Sequence, residues 1–164
     1  MRWTAAIILL VLSCASSQAA CPSRDTIAAA TAPDGQVVAL IGNVPITSYD
    51  WQQAVALRVA LEGSTPDASA LKAIAVAELA QLKTGAAWMR EARSRDIAVA
   101  PSEVDRAITA MLARDHVTAI ELAARLRCGG VAMATLRSHV AVAIAHAKAT
   151  GAKVTLPFRI AIHR

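Results

Sequence analysis

Residues 68–94 read ASALKAIAVAELAQLKTGAAWMREARS, and this stretch decides the fold class. Apolar side chains recur every three or four residues along it, which is typical of an amphipathic helix that packs one face against a core. Alanine fills much of the remainder and has the highest helix propensity of all residues. The spacing predicts one long helix whose apolar face comprises Leu71, Ile74, Ala75, Leu79, Leu82, Ala86 and Met89.

The composition of the whole chain agrees with a helical domain. The chain has 164 residues, of which 55% are hydrophobic, only 3% are aromatic and 39 are alanine. This composition excludes a disordered chain and a collagen-like repeat, and it argues against an all-β sandwich. The length suits one domain of ordinary size. The net charge of +5 comes from basic residues scattered among acidic ones, which predicts a solvated surface and no nucleic-acid binding.

The segments on either side of the long helix predict further helices and two short strands. Thr47 with Asp50, and Thr118 with Glu121, have the spacing of capping boxes at helix starts. The first of these helices is predicted over about 48–62, with its end at Gly63. The β-branched run 36–41 predicts a buried strand, residues 43–47 predict a turn after it, and the alternation from Phe158 onward predicts a second strand. We expect these two strands to pair. The predicted fold class is mainly α, with about five helices and a small β pairing between the N-terminal and C-terminal strands.

The N-terminus has the features of a secretory signal peptide. Arg2 precedes the apolar run Ala5–Leu12, and Ser17 and Ala19 fit the small residues of a cleavage site. The run is eight residues long, far shorter than the roughly 20 residues that span a bilayer. We therefore predict a signal peptide over 1–19, a tether over 20–35, a folded domain over 36–164 and no transmembrane span. The protein is expected in the periplasm or cell envelope, or secreted.

The predicted export makes lipidation and disulfide formation possible for the three cysteines. Cys14 follows Val11-Leu12-Ser13, which loosely matches the site at which bacterial lipoproteins are lipidated, so a lipid anchor is an alternative to simple cleavage. Cys21 and Cys128 remain after cleavage and are candidates for a disulfide in an oxidising compartment. The alternative is two unpaired thiols.

Large apolar residues on the predicted helices are the candidates for contact with a partner. They are Trp51, Trp88, Met111 and Met133, and methionine in particular adapts to varied partners. Trp88 is the best candidate because it lies off the apolar stripe of its own helix. The alternative is that all four belong to the core.

The histidines and the possible nucleophiles of the chain do not have the spacing of a metal-binding or catalytic site. His139 and His146 are seven residues apart, about 10 Å by helical rise, which is too far for one ion. His116 and His163 add no ligand pattern, so we predict no metal and no cofactor. No nucleophile motif or phosphate-binding glycine loop occurs. Glu78 falls on the apolar stripe, and we interpret it as reaching water or a basic residue of another helix.

The order of the predicted elements resembles a known family. Residues 37–50, VVALIGNVPITSYD, are similar to the strand and helix start of the SurA-type N-terminal chaperone domain. Residues 80–105, AQLKTGAAWMREARSRDIAVAPSEVD, are similar to that family's long helix and the loop and helix start after it. Residues 118–126, TAIELAARL, with Gly130 resemble its next short helix.

This resemblance implies a chaperone that binds apolar segments of unfolded or partly folded envelope proteins. Relatives such as the SurA, PrsA and PpiD foldases also carry parvulin-type prolyl isomerase domains, for which this chain has neither room nor a matching pattern. We therefore expect no isomerase activity. The alternative functions are a structural or adaptor protein that holds one folded partner, or an accessory to a separate prolyl isomerase.

Overall fold

The computed structural model describes residues 23–161. The predicted signal peptide over 1–19, with Cys14, and the cysteine at position 21 lie outside the described residues, as does His163. The described part is mainly helical with one small antiparallel sheet. Its elements in chain order are α1 Arg24–Ala30, β1 Val37–Ile41, β2 Val44–Thr47, α2 Ser48–Glu62, α3 Ala68–Ser94, α4 Pro101–Arg114, α5 Ala119–Cys128 and α6 Met133–Thr150.

The predicted helix starts are confirmed in atomic detail. Thr47 accepts a hydrogen bond from the Asp50 amide, and the Asp50 carboxylate accepts one of 2.9 Å from the Thr47 amide. Thr118 and Glu121 form the same reciprocal pair at the start of α5. Each pair satisfies two amides that a helix start would otherwise leave without partners, so local sequence fixes where α2 and α5 begin.

The structure has six helices between residues 23 and 161, so the prediction of about five was one short. The additional helix is α1, which lies inside the segment predicted as a tether. Ser23 caps it by accepting a hydrogen bond from the Thr26 amide, and Ile27 is 3% exposed. Because Ile27 belongs to the main core, residues 24–30 are part of the folded domain.

The sheet differs from the prediction in its pairing. β1 pairs with β2 in an antiparallel hairpin, with Val37 opposite Thr47 and Ile41 opposite Val44. Residues 44–47, which the sequence suggested were a turn, form β2. The predicted pairing of β1 with a C-terminal strand was therefore wrong, and within residues 23–161 the sheet has two strands.

The C-terminal segment is nevertheless part of the core. Residues 157–161 form no strand, but Phe158 and Ile160 are 8% and 3% exposed and belong to the main core cluster. Their partners are helices, because the Ala161 amide donates a 2.9 Å hydrogen bond to the Leu61 carbonyl at the end of α2. This carbonyl is one of those that a helix C-terminus leaves without an intrahelical partner.

The long helix α3 packs against α2 and α6, and its bounds match the prediction. Its fully buried residues are Leu71, Ala75, Glu78, Gly85 and Ala92, so the buried line runs along one edge of the predicted apolar stripe. Within residues 23–161, no helix is by itself both long and apolar enough to cross a membrane. Taken together, α5 and α6 are long and apolar enough, but they are bent by 113° relative to each other.

Candidate functional site

Trp88 lies on α3 outside the line of buried residues, as the sequence predicts. Its side chain is half-buried and stacks on His146 of α6, with ring centroids 3.8 Å apart and an interplanar angle of 23°. Stacking fixes the orientation of the indole, and a rigid aromatic loses little conformational entropy when it contacts a partner.

A shallow depression of about 490 Å³ opens beside this indole. Trp88 lines it together with Ala87, Arg90, Glu91 and Ser94. The residues thus combine one aromatic surface with one cation and one anion, an arrangement that can receive an apolar side chain and bind a neighbouring polar group. Arg90 also contacts the hairpin: its guanidinium lies 2.9 Å from where a Cβ would stand at Gly42, in the turn between β1 and β2.

The other three predicted contact residues do not join Trp88 at this depression. The Trp51 indole donates a 2.7 Å hydrogen bond to the Ala75 carbonyl and packs against the core. Ala75 is thirteen residues before Trp88 on α3, roughly 20 Å by helical rise. Met111 is 2% exposed and is a core residue. Met133, at the start of α6, is 42% exposed.

Several exposed apolar side chains were missed by sequence reasoning. Val37 and Leu40 of β1 are 62% and 63% exposed, although the sequence predicted a buried strand there. That prediction was wrong because an apolar run alone does not show whether a strand is covered on both faces. Ile120, in the first turn of α5, and Val76, on α3, are also exposed.

Glu78 is buried on α3, as its position on the apolar stripe predicts. Burial raises the pKa of its carboxyl group, the charge of Arg58 opposes this, and the charge of Glu62 reinforces it. The nearby basic residue belongs to α2, where Arg58 forms an ion pair with Glu62 and donates a hydrogen bond to the Pro157 carbonyl. Burial is against the interpretation that Glu78 reaches water. The charge of Arg58 on another helix acts on Glu78, but the ion pair of Arg58 is with Glu62.

The histidines and acidic residues make no metal-binding arrangement in the described part of the chain. The His146 ring stacks on Trp88. Burial lowers the pKa of His139. Cys128 is disulfide-bonded. Because the other cysteines of the chain lie outside the described residues, its pairing with Cys21 remains a prediction.

A second group of polar residues surrounds the C-terminal segment, and the sequence did not single it out. The Asp115 carboxylate accepts hydrogen bonds of 2.7 Å from Nε and from Nη2 of Arg114, and one of 2.9 Å from the Ile160 amide. Arg114 also donates to the Phe158 carbonyl at 3.2 Å, and Arg125 donates to the Ala161 carbonyl at 2.7 Å. The signal in the sequence is weak, since scattered arginines look like ordinary surface residues.

Searches of family models, curated proteins and solved structures returned no match to this chain.

Proposed function

We propose that this protein is an exported, non-catalytic chaperone-like domain that binds apolar segments of unfolded or partly folded envelope or secreted proteins. The burial of apolar surface supplies the affinity, so the function requires no cofactor and no covalent step. The sequence resemblance to the SurA-type domain suggests this function.

The position of the Trp88 side chain is the main structural support for this proposal. Its indole is held by His146 and borders an open depression, so an apolar side chain of a client can lie against it without a rearrangement of the core. Aromatic anchors of this kind provide a large part of the binding energy in many interfaces. The exposed side chains of Val37 and Leu40 on β1 offer additional apolar area.

The proposal is tested by the aggregation of an unfolded β-barrel envelope protein diluted from urea. The mature chain is expected to suppress light scattering at an equimolar ratio, and Trp88→Ala should reduce this suppression by about half or more. Tyr49→Ala is the matched control, because Tyr49 is an exposed aromatic residue on α2 that does not line the depression. Circular dichroism verifies that both variants remain folded.

Two results would contradict the proposal. One is the absence of suppression by the wild-type chain at several-fold excess, which would favour the adaptor function. The other is equal suppression by wild type, Trp88→Ala and Tyr49→Ala, which would remove Trp88 from the binding surface. A rate of proline-peptide isomerisation above background would overturn the non-catalytic assignment.

A further inference from the structure

The C-terminal residues 157–161, called the tail below, are anchored to the helical domain by alternate side chains. Phe158 and Ile160 are buried, whereas Arg159 between them is exposed. This alternation places every second side chain against the core, as in an extended peptide with one face covered. The surface that holds the tail, called the groove below, comprises the residues bonded to it on α2, at the end of α4 and on α5.

The groove binds the tail through the main chain. The carbonyls of residues 157, 158 and 161 accept hydrogen bonds from the side chains of Arg58, Arg114 and Arg125. The amide of Ile160 donates to Asp115, and the amide of Ala161 donates to the Leu61 carbonyl. Main-chain atoms are the same in every peptide, so these five bonds are available to a segment of another sequence.

The connection between α6 and the tail is exposed except at Leu156, which is partly buried against the core. Gly151 ends α6 in the left-handed conformation, with φ at 70°, and residues 152–155 are exposed. Within the described chain, the hydrogen bonds of residues 152–155 stay local, to Thr150 and to Lys153. This connection leaves the chain free to move at residues 151–155, while the tail itself is held by Phe158 and Ile160 in the core.

We propose that this groove is a peptide-binding site which the protein's own tail occupies, and that an extended client segment with apolar side chains two residues apart displaces the tail. The inference rests on the proposed function and adds a site and a regulation to it. The tail acts as a tethered competitor, so only a client segment that fits the groove well gains access.

The groove also sets a rule for the client sequence. The residue in the position of Ile160 must donate its amide hydrogen to Asp115, and the next residue must donate to Leu61. Proline has no amide hydrogen, so a proline at either position removes one of these two bonds and leaves Asp115 bonded to Arg114 alone, or the Leu61 carbonyl with only the 3.5 Å bond from Arg125. A negatively charged side chain in place of Ile160 is also disfavoured, because the amide of this residue lies next to the negatively charged Asp115 carboxylate.

The test uses the complete mature chain and a synthetic peptide, TLPFRIA, which repeats residues 155–161. Addition of excess peptide is expected to increase amide hydrogen exchange at Ile160 and Ala161 at least tenfold, while the amides of α3 keep their protection. The matched control peptide, TLPFRPA, is expected to have no effect. Unchanged exchange of Ile160 and Ala161 at saturating TLPFRIA would overturn the proposal, as would equal effects of both peptides.

A weakened tail provides an independent measurement. Phe158→Ala in the chain should bind labelled TLPFRIA at least tenfold more tightly than the wild-type chain, because the tethered competitor is weaker. Arg159→Ala is the control and should leave the affinity unchanged, since that side chain is exposed. If Phe158→Ala does not fold, Ile160→Val removes one methylene and should tighten binding about threefold. Equal affinities of the folded variant and wild type would overturn the proposal.

The failure of this inference is distinguishable from the failure of the proposed function. Suppression of client aggregation without any change in Ile160 and Ala161 exchange would refute the groove and leave chaperone activity in place. Peptide exchange without suppression of aggregation would support the groove and refute the proposed function.

Discussion

The carboxylate of Asp115, directly after α4, accepts a hydrogen bond of 2.9 Å from the backbone amide of Ile160. The two residues are 45 positions apart, and both are more than 90% buried. Asp115 is held in place by two further bonds from Arg114, whose guanidinium lowers the pKa of the carboxyl group. The bond joins the C-terminal tail to the helical body.

Replacement of Asp115 tests the energy of this connection. Asp115→Asn removes the charge that binds Arg114 and weakens the bond to Ile160, and we expect a loss of about 2 kcal/mol in the free energy of unfolding, since hydrogen bonds to charged groups contribute in this range. Urea denaturation measures the loss. Asp105→Asn is the control, because its ion pair with Arg137 is exposed, and should cost less than about 1 kcal/mol. Equal losses in the two variants would contradict the assignment.

The burial of Glu78 predicts an opposite effect of substitution and a dependence on pH. The folded state raises the pKa of this carboxyl group, so its contribution to stability is present below the unfolded value near 4.5 and is lost as the pH rises through the folded value. Glu78→Gln stays neutral, and we expect it to be more stable than wild type at pH 7–8, with the difference shrinking towards pH 4.

Urea denaturation at several pH values between 4 and 8 checks this expectation. Glu91→Gln, on the exposed side of the same helix, serves as the control and should change the free energy of unfolding by less than about 1 kcal/mol. A Glu78→Gln variant that is less stable than wild type at pH 8 would show that the attraction between Glu78 and Arg58 outweighs the cost of burial.

The crossing of α3 and α6 depends on the small size of Gly85. A Cβ at this position would lie 3.1 Å from Cγ1 of Val142, so a larger side chain requires the Val142 side chain or the helices to shift. We expect Gly85→Leu to lower the free energy of unfolding by about 1–3 kcal/mol, the usual cost of overpacking. Ala80→Leu adds the same side chain at an exposed position of α3 and should be nearly neutral. Val142→Ala should restore part of the loss; no restoration would place the strain elsewhere.

Because Cys128 is disulfide-bonded, we expect reduction to lower the free energy of unfolding strongly. If the partner is Cys21, the bond closes a loop of about 107 residues, and the chain-entropy model predicts a loss of about 4 kcal/mol when the bond is removed. Cys21→Ser and Cys128→Ser should be equally destabilised, and reductant should have no further effect on either. Mass spectrometry after alkylation detects whether Cys128 is still disulfide-bonded in Cys21→Ser. If it is, the partner of Cys128 is a different cysteine.

The sequence predicted the elements whose signals are local. The bounds of α2 and α3 agree with the predicted ones, because the capping pair Thr47–Asp50, Gly63 in the left-handed conformation and the apolar spacing act within a few residues. Trp88 was also located correctly in relation to the buried side of its helix, since helical periodicity determines that relation.

The elements that depend on distant contacts were not predicted. α1 has one buried side chain, Ile27, which is too little for a periodic pattern. Because β2 contains Pro45, the sequence predicted a turn there, although proline is allowed in a strand at a sheet edge. Alternation in the tail agrees with the burial of Phe158 and Ile160, although no strand forms there, and alternation carries no information about the partner. The polar groove around Asp115 was missed for the same reason.

The attachment of the tail also has a consequence for the order of folding. The Arg58 side chain and the Pro157 carbonyl, which form a hydrogen bond, are separated by 99 positions in the chain. Contacts between residues this distant require the closure of a long loop and form slowly, whereas helices form on the microsecond scale. We expect the helices to assemble first and the tail to dock in a later kinetic phase, so that a newly folding molecule passes through a stage with an open groove.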